Sequence, residues 1–211
     1  RKRPCAGACW TAATGASAGR PGRDEGLNRP LAIVPLAVTV EIRKDFMHRF
    51  RVWAPKAQRV SVGIGEDKYS MERDRGGWWQ AAVDAAGPGT DYAFFLDDED
   101  LALPDPRSAW QPQGVHGPSR VFDPAAFRWT DAGWQAPPLA SGIVYELHIG
   151  TLTPAGTFDA AQSQLDALRE LGITHVELMP VNAFPGQQGW GYDGVDLFAP
   201  HQAYGGPDGL K

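Results

Sequence analysis

The sequence contains no apolar run approaching the roughly 20 residues that a membrane-spanning helix needs, so we expect no membrane partner. It also contains no long basic run outside its first residues, and the formal net charge of −5 argues against nucleic acid as a partner. Cysteine is almost absent: Cys5 and Cys9 are the only two, and the first histidine is His48. We therefore interpret the pair as incidental and predict neither a metal site nor a cofactor. This scarcity of cysteine fits a reducing compartment, so we expect a cytoplasmic protein.

Glycine, proline and tryptophan are abundant instead, with 25, 18 and 8 residues. This composition favours short strands joined by turns over a helical bundle. Residues 1–45 are rich in Ala, Gly, Arg and Pro and show no apolar periodicity. We interpret them as a disordered leader, with a transit peptide or a non-native segment as alternatives. The ordered protein is predicted to begin at or near Met47.

Residues 46–128 show the alternating apolar pattern of β-strands. Phe50 and Val52 begin one strand, and the apolar residues of "VSVGI" share one face of the next. Further strands are predicted in "KYSMER", "WWQAAV" and "DYAFFLDD", with a turn at the two glycines that precede "WWQAAV". Short strands at regular spacing predict an antiparallel β-sandwich.

Three tryptophans of the predicted sandwich are candidates for a sugar-stacking platform. Tryptophan is also a large core residue, and we expect Trp53 to lie in the core. Trp78 and Trp79 are adjacent on one strand and point to opposite faces, so at most one of them is buried. The proline-rich stretch 103–127 is predicted to be an irregular connector that packs on a neighbouring part of the molecule.

Residues 143–211, which follow a linker at 129–142, have the pattern of an α/β unit. An apolar strand is predicted at 143–149, and "ITHVELMPV" is predicted to be a second strand, buried on both faces. Between them "FDAAQSQLDALRELG" predicts one amphipathic helix that ends at Gly172 and buries one apolar face, formed by Ala161, Leu165, Leu168 and Leu171. These elements form a β–α–β unit with parallel strands, and "GGPDGLK" predicts a second helix.

The long loop at 181–205 contains the candidate site residues, because chemistry in such folds lies beyond the C-terminal ends of parallel strands. Tyr192 is flanked by glycines that expose its ring for stacking, and Asp193 can accept hydrogen bonds from sugar hydroxyls. Trp190 and His201 belong to the same loop and are expected on the substrate side. A self-packed loop, in which Asp193 bonds its own backbone amides, is an equally good interpretation.

Five stretches suggest a relationship: "FRVWAPKAQRVSV", "LPDPRSAWQPQGVHGPS", "YELHIGTLTPAGTF", "GITHVELMPV" and "FPGQQGWGYDGVDLFAPHQAYGGP". In this order, over residues 46–211, they resemble the malto-oligosyltrehalose trehalohydrolases of the α-amylase family of glycoside hydrolases. Glycogen branching enzymes share the same layout and are an alternative. A non-catalytic α-glucan-binding module is another.

The resemblance implies a multidomain protein. An immunoglobulin-like, early-set β-sandwich precedes the first βαβ part of a truncated (β/α)8 barrel. It also implies a retaining enzyme that hydrolyses the α-1,4 bond next to the terminal trehalose of malto-oligosyltrehalose. The family's catalytic acids follow later barrel strands, so none is assigned here and the 211-residue chain alone is expected to be inactive.

The resemblance also suggests roles for residues of the long loop. Tyr192 matches the family's tyrosine that stacks on the sugar beside the cleaved bond, and Asp193 matches the acid after it. Together with Trp190 they are the predicted substrate-binding residues for malto-oligosyltrehalose or another α-glucan. Four other ionisable residues are expected to be structural: Glu146, Glu177, His148 and His175.

Overall fold

The computed structural model describes residues 47–211, except for positions 85 and 98. The predicted leader and both cysteines lie outside these described residues. Within the described part of the chain, no helix is long and apolar enough to cross a membrane. No group of three or more His, Cys, Asp or Glu side chains suited to a metal ion occurs there either.

Seven short strands form two antiparallel sheets. In chain order they are β1 (His48–Trp53), β2 (Val60–Ile64), β3 (Asp67–Ser70), β4 (Glu72–Arg73), β5 (Trp78–Val83), β6 (Asp91–Leu96) and β7 (Ser119–Arg120). One sheet has the order β1–β5–β4 and the other β3–β2–β6–β7. One apolar core includes buried residues of both sheets, such as Phe50 and Trp79 from the first and Val62 and Phe94 from the second. The predicted antiparallel strands are therefore confirmed.

The prediction that Trp53 lies in the core is wrong. Phe50 and Val52 point into the core, so the alternation along β1 places Trp53 on the opposite face, where it is 58% exposed. Its indole Nε1 donates a hydrogen bond to the Gly76 carbonyl at 3.1 Å. The prediction for the neighbouring pair is confirmed, because Trp79 is buried and Trp78 is only half-buried.

The stretch 103–127 is largely irregular apart from β7, and it packs on the second half of the chain, as predicted. Val115 is buried against Ala183 and Ala199. The Trp110 indole Nε1 donates to the Gln202 Oε1 atom at 2.8 Å. A 3₁₀ turn at Pro124–Ala126 ends this stretch, and another at Leu139–Ser141 precedes the next strand.

A parallel strand pair begins the second half. β8 (Val144–Leu147) pairs in parallel with β9 (His175–Leu178). The segment between them contains α1 (Ile149–Leu152), α2 (Phe158–Gln162) and α3 (Leu165–Glu170). The predicted β–α–β order is present, but the single helix predicted over 158–172 is wrong.

Local hydrogen bonds explain the interruption between α2 and α3. The Ser163 hydroxyl donates to the Ala160 carbonyl at 2.6 Å, and the Gln164 amide bonds the Ala161 carbonyl in a 3₁₀ pattern. Side-chain bonds of this kind compete with continued helix. The predicted end is correct, because Gly172 has a φ of 95° and its amide bonds the Arg169 carbonyl.

The burial predicted for this unit is also wrong. Among the apolar side chains of β8 and β9 only Leu147 is buried, while Val144, Val176 and Leu178 are exposed. On the helices Ala161 is buried and Leu168 is half-buried, whereas Leu165 and Leu171 are exposed. A strand is buried on both faces only when neighbouring strands and helices cover it. Among the described residues β8 and β9 pair only with each other.

The segment after β9 contains a strand pair that was not predicted. β10 (Asn182–Ala183) and β11 (Asp196–Pro200) pair antiparallel, with an irregular register. A 3₁₀ turn at Gln202–Tyr204 follows, and then α4 (Gly206–Leu210), as predicted. The predicted domain limits at 46–128, 129–142 and 143–211 stay predictions.

Candidate functional site

The three predicted substrate-binding residues lie on the loop that joins β10 to β11. The Tyr192 side chain is 73% exposed and Trp190 59%. Asp193 is exposed beside them. Among the described residues no backbone amide donates to the Asp193 carboxylate, so the self-bonded alternative is not observed. The loop presents two aromatic rings and one carboxylate to solvent.

Glycines allow this loop to pack closely on the segment after β9. Gly191 has a φ of 81°, and a Cβ added to it would overlap the Pro180 carbonyl oxygen. A Cβ on Gly194 would overlap the Asn182 side-chain amide in the same way. Only glycine satisfies both the left-handed conformation and the close approach at position 191. The turn that exposes Tyr192 therefore depends on its glycines.

His148 connects this loop to the end of β8. Its Nε2 lies 2.9 Å from the Gly189 carbonyl oxygen and 2.9 Å from the Tyr204 hydroxyl. Its Nδ1 lies 3.1 Å from the Thr151 hydroxyl. The imidazole also contacts the Trp190 ring, with centroids 4.9 Å apart. These contacts fit a structural role for His148, which stays a prediction, and the sequence did not indicate its contact with Trp190.

An aromatic cluster supports the loop from inside. Phe184 and His201 stack with ring centroids 3.8 Å apart, and Tyr204 packs edge-on against both. All three are buried. His201 is therefore not exposed beside Tyr192, since its ring is buried in this cluster, and its place on the substrate side stays a prediction. Burial also lowers the pKa of His201, so the imidazole is neutral at pH 7.

The other predicted structural residues lie away from the loop. Glu146 and Glu177 are register partners across the parallel pair and are exposed. His175 Nδ1 lies 2.8 Å from the Thr174 hydroxyl, which also bonds the backbone of Ile143. The contact of His175 fits a structural role, whereas the roles of Glu146 and Glu177 stay predictions.

A cleft of about 340 Å³ lies beside the loop. Trp190, Gln187 and Gln188 line one part of it, and His148, Thr151 and Tyr204 line another. Exposed aromatic rings beside amide and hydroxyl groups are suited to binding a sugar, through ring stacking and hydrogen bonds. The described arrangement favours substrate binding over acid–base chemistry.

The chain is similar to several known proteins. Residues 38–124 match the family model of carbohydrate-binding module 48, the isoamylase N-terminal domain. A malto-oligosyltrehalose trehalohydrolase of Rhizobium sp. (strain M-11) is 53% identical over 165 residues, which cover 75% of this chain and 28% of the relative. The chain is a homologue of the N-terminal part of the malto-oligosyltrehalose trehalohydrolases. The resemblance seen in the sequence is confirmed, and the chain spans less than a third of the length of that trehalohydrolase.

Two further proteins are similar to this chain. A 1,4-α-glucan branching enzyme of Xanthomonas axonopodis pv. citri (strain 306) is 35% identical over 208 residues, covering 88% of this chain and 29% of that enzyme. The crystal structure of a Salmonella typhimurium protein that carries the name α-amylase has a TM-score of 0.75 at 45% identity, covering 78% of this chain and 28% of its own. The trehalohydrolases are thus closer in sequence than this branching enzyme.

Proposed function

We propose that this chain forms the N-terminal part of a malto-oligosyltrehalose trehalohydrolase, a retaining hydrolase of the α-amylase family. The enzyme hydrolyses the α-1,4 bond next to the terminal trehalose of malto-oligosyltrehalose and releases trehalose. One observation carries the proposal: the exposed Tyr192 ring lies on a glycine-shaped loop beyond β9, in a chain 53% identical to a protein of that name.

The parallel strands β8 and β9 are, in this proposal, the first two strands of a (β/α)8 barrel. Loops that follow barrel strands build the active site. The loop with Tyr192 follows β9, so its aromatic rings would form one wall of that site. The matched residues 38–124 support a separate carbohydrate-binding domain before the barrel. We assign this domain to residues 46–128 and the linker to 129–142.

Tyr192 acts in this proposal by stacking its ring on the sugar at the cleaved bond. The transition state of glycoside hydrolysis resembles an oxocarbenium ion, and an aromatic face stabilises nearby positive charge. Asp193 accepts hydrogen bonds from sugar hydroxyls, and Trp190 extends the apolar surface. The catalytic acid and nucleophile are not assigned to residues of this chain.

A chimera tests the proposal. Residues 47–211 would replace the aligned part of the Rhizobium enzyme, and trehalose release from malto-oligosyltrehalose would be measured. We expect the chimera to keep kcat/KM within about tenfold of the parent enzyme. The 211-residue chain alone should release no trehalose above the enzyme-free background. A folded chimera without activity would contradict the proposal. Release by the chain alone that survives Tyr192→Ala would contradict it as well.

A further inference from the structure

A second cleft, which shares only Gln187 with the one beside Trp190, lies between the 103–127 connector and the loop region. Its volume is about 490 Å³, within the roughly 300–1,000 Å³ of small-molecule sites. Residues 111–116 form one wall, and residues 183–187 and 201–203 form the other. Contact of Val115 with Ala183 and Ala199 holds the two walls together. The space far exceeds the roughly 30 Å³ that one water molecule occupies in the liquid.

The polar lining of this cleft consists of amide and imidazole side chains. Six polar side chains line it: Gln111, Gln113, Gln187, Gln202, His116 and His201. None of the described residues that line the cleft is Asp, Glu, Lys or Arg. Phosphates and carboxylates are usually held by Arg or Lys, which this lining does not supply. A neutral ligand is therefore favoured over an anion.

Amide side chains both donate and accept hydrogen bonds, as hydroxyl groups do. Two polar atoms of the lining residues also have unused hydrogen-bonding capacity. Gln111 Oε1 and His201 Nε2 are buried and have no hydrogen-bond partner among the described residues. The whole side chains are almost fully enclosed, with 1% and 5% exposure. A buried polar atom without a hydrogen bond is unfavourable, and a ligand hydroxyl would satisfy it after a small movement of the cleft wall.

Apolar surface completes the lining. Phe184 and Val115 lie in the cleft together with Pro112 and Pro185. A hexopyranose presents hydroxyls at its rim and C–H groups on its faces, which matches amides beside apolar side chains. Burial keeps His201 neutral at pH 7, so no imidazolium forms there to attract an anion.

We propose that the cleft between residues 111–116 and the segments 183–187 and 201–203 binds one hexose unit of a neutral α-glucan. The choice of an α-glucan rests on the proposed function, whereas the choice of a neutral sugar rests on the lining alone. One wall belongs to the loop that carries Tyr192, but neither Tyr192 nor Trp190 lines the cleft, so a glucan could be held here while the cleaved bond lies at Tyr192.

Isothermal titration of the 211-residue chain with maltotriose tests this site. We expect binding with a millimolar Kd, weakened at least about tenfold by the double variant Gln113→Ala/His116→Ala. Both side chains are exposed and line the cleft, so the melting temperature should not change. Gln162→Ala, an exposed glutamine on α2 outside the cleft, is the matched control and should bind as the wild type does. Methyl α-glucoside should bind at least about tenfold more tightly than methyl α-glucuronide, which differs by one carboxylate.

Three results would overturn the inference: no binding by the wild type, equal binding by the double variant, or loss of binding only in Tyr192→Ala. The chimera assay separates this inference from the proposed function. An active chimera whose cleft binds no sugar refutes the cleft alone. An inactive, folded chimera whose cleft binds maltotriose refutes the enzyme proposal alone.

Discussion

Gly191→Ala tests whether close backbone packing presents Tyr192. Gly191 has a φ of 81°, and an added Cβ would overlap the Pro180 carbonyl oxygen, which belongs to the backbone. A backbone atom cannot rotate away as the end of a flexible side chain can. We therefore expect the loop to shift as a whole, and Tyr192 to move with it.

The loss in free energy of unfolding that we expect for Gly191→Ala has two parts. A non-glycine residue in the left-handed region costs roughly 1–2 kcal/mol. Overpacking against a fixed neighbour adds about 1–3 kcal/mol. Gly186 provides a matched control, because its φ is 88° but nothing lies within 4 Å of its added Cβ. Gly186→Ala should therefore show only the conformational cost.

Urea unfolding of the 211-residue chain measures both variants. We expect Gly191→Ala to lower the free energy of unfolding by about 2–5 kcal/mol and Gly186→Ala by only about 1–2 kcal/mol. In the chimera, Gly191→Ala should also lower the rate of trehalose release. Equal destabilisation by the two substitutions would refute the reasoning, since the contact with Pro180 would then contribute nothing.

Three further predictions concern the buried parts of the structure. Phe184→Ala should cost about 3–5 kcal/mol in urea unfolding, because it removes a fully buried ring from under the loop; a loss under about 1 kcal/mol would contradict this. Trp79→Ala should lower the free energy of unfolding by a similar amount of about 3–5 kcal/mol, whereas Trp53→Ala should lower it by about 1 kcal/mol. The reverse order in the same assay would refute the strand faces assigned to the two residues. Burial raises the pKa of Asp196 from its ordinary 3.8, so this carboxyl loses stabilisation as pH rises through its folded-state pKa. Asp196→Asn should therefore unfold at higher urea than the wild type at neutral pH and lose that advantage below pH 3.8; an advantage independent of pH would contradict the assignment.

Alternation of apolar residues predicted the strands of the sandwich because one face of each sheet covers a core. The same alternation, counted from Phe50 and Val52, would have placed Trp53 outside. That prediction followed the size of the indole rather than its position in the strand. Residue type indicates how much a side chain gains from burial, whereas strand parity decides whether it is buried.

The helix between β8 and β9 was only partly predictable. The spacing of Ala161, Leu165, Leu168 and Leu171 predicted one apolar face. Apolar spacing carries no information, however, about a side-chain hydroxyl that donates a hydrogen bond to a backbone carbonyl of the preceding turn. Ser163 makes such a bond, and the helix divides there. Gly172 was predictable because a C-terminal cap has a local conformational requirement that glycine meets.

The candidate site, too, was only partly predictable from the sequence. Exposure of Tyr192 follows from its flanking glycines, which are visible in the sequence. The cluster of Phe184, His201 and Tyr204 was not predictable, because it forms only when β10 and β11 pair, and β10 is too short for an apolar pattern. Buried polar residues such as Gln111 were also missed, since their burial depends on contacts distant in sequence.

Steady-state kinetics of Tyr192→Ala and Tyr192→Phe in the chimera test the central claim most directly. A stacking contact is worth roughly 1–3 kcal/mol by analogy with stacking on nucleic-acid bases. Tyr192→Ala should therefore lower kcat/KM for malto-oligosyltrehalose by about ten- to a hundred-fold, while Tyr192→Phe keeps most of it. Since the ring is 73% exposed, neither substitution should change the melting temperature appreciably. A lower melting temperature for Tyr192→Ala with kcat intact would instead show that Tyr192 only supports its loop, and would contradict the account.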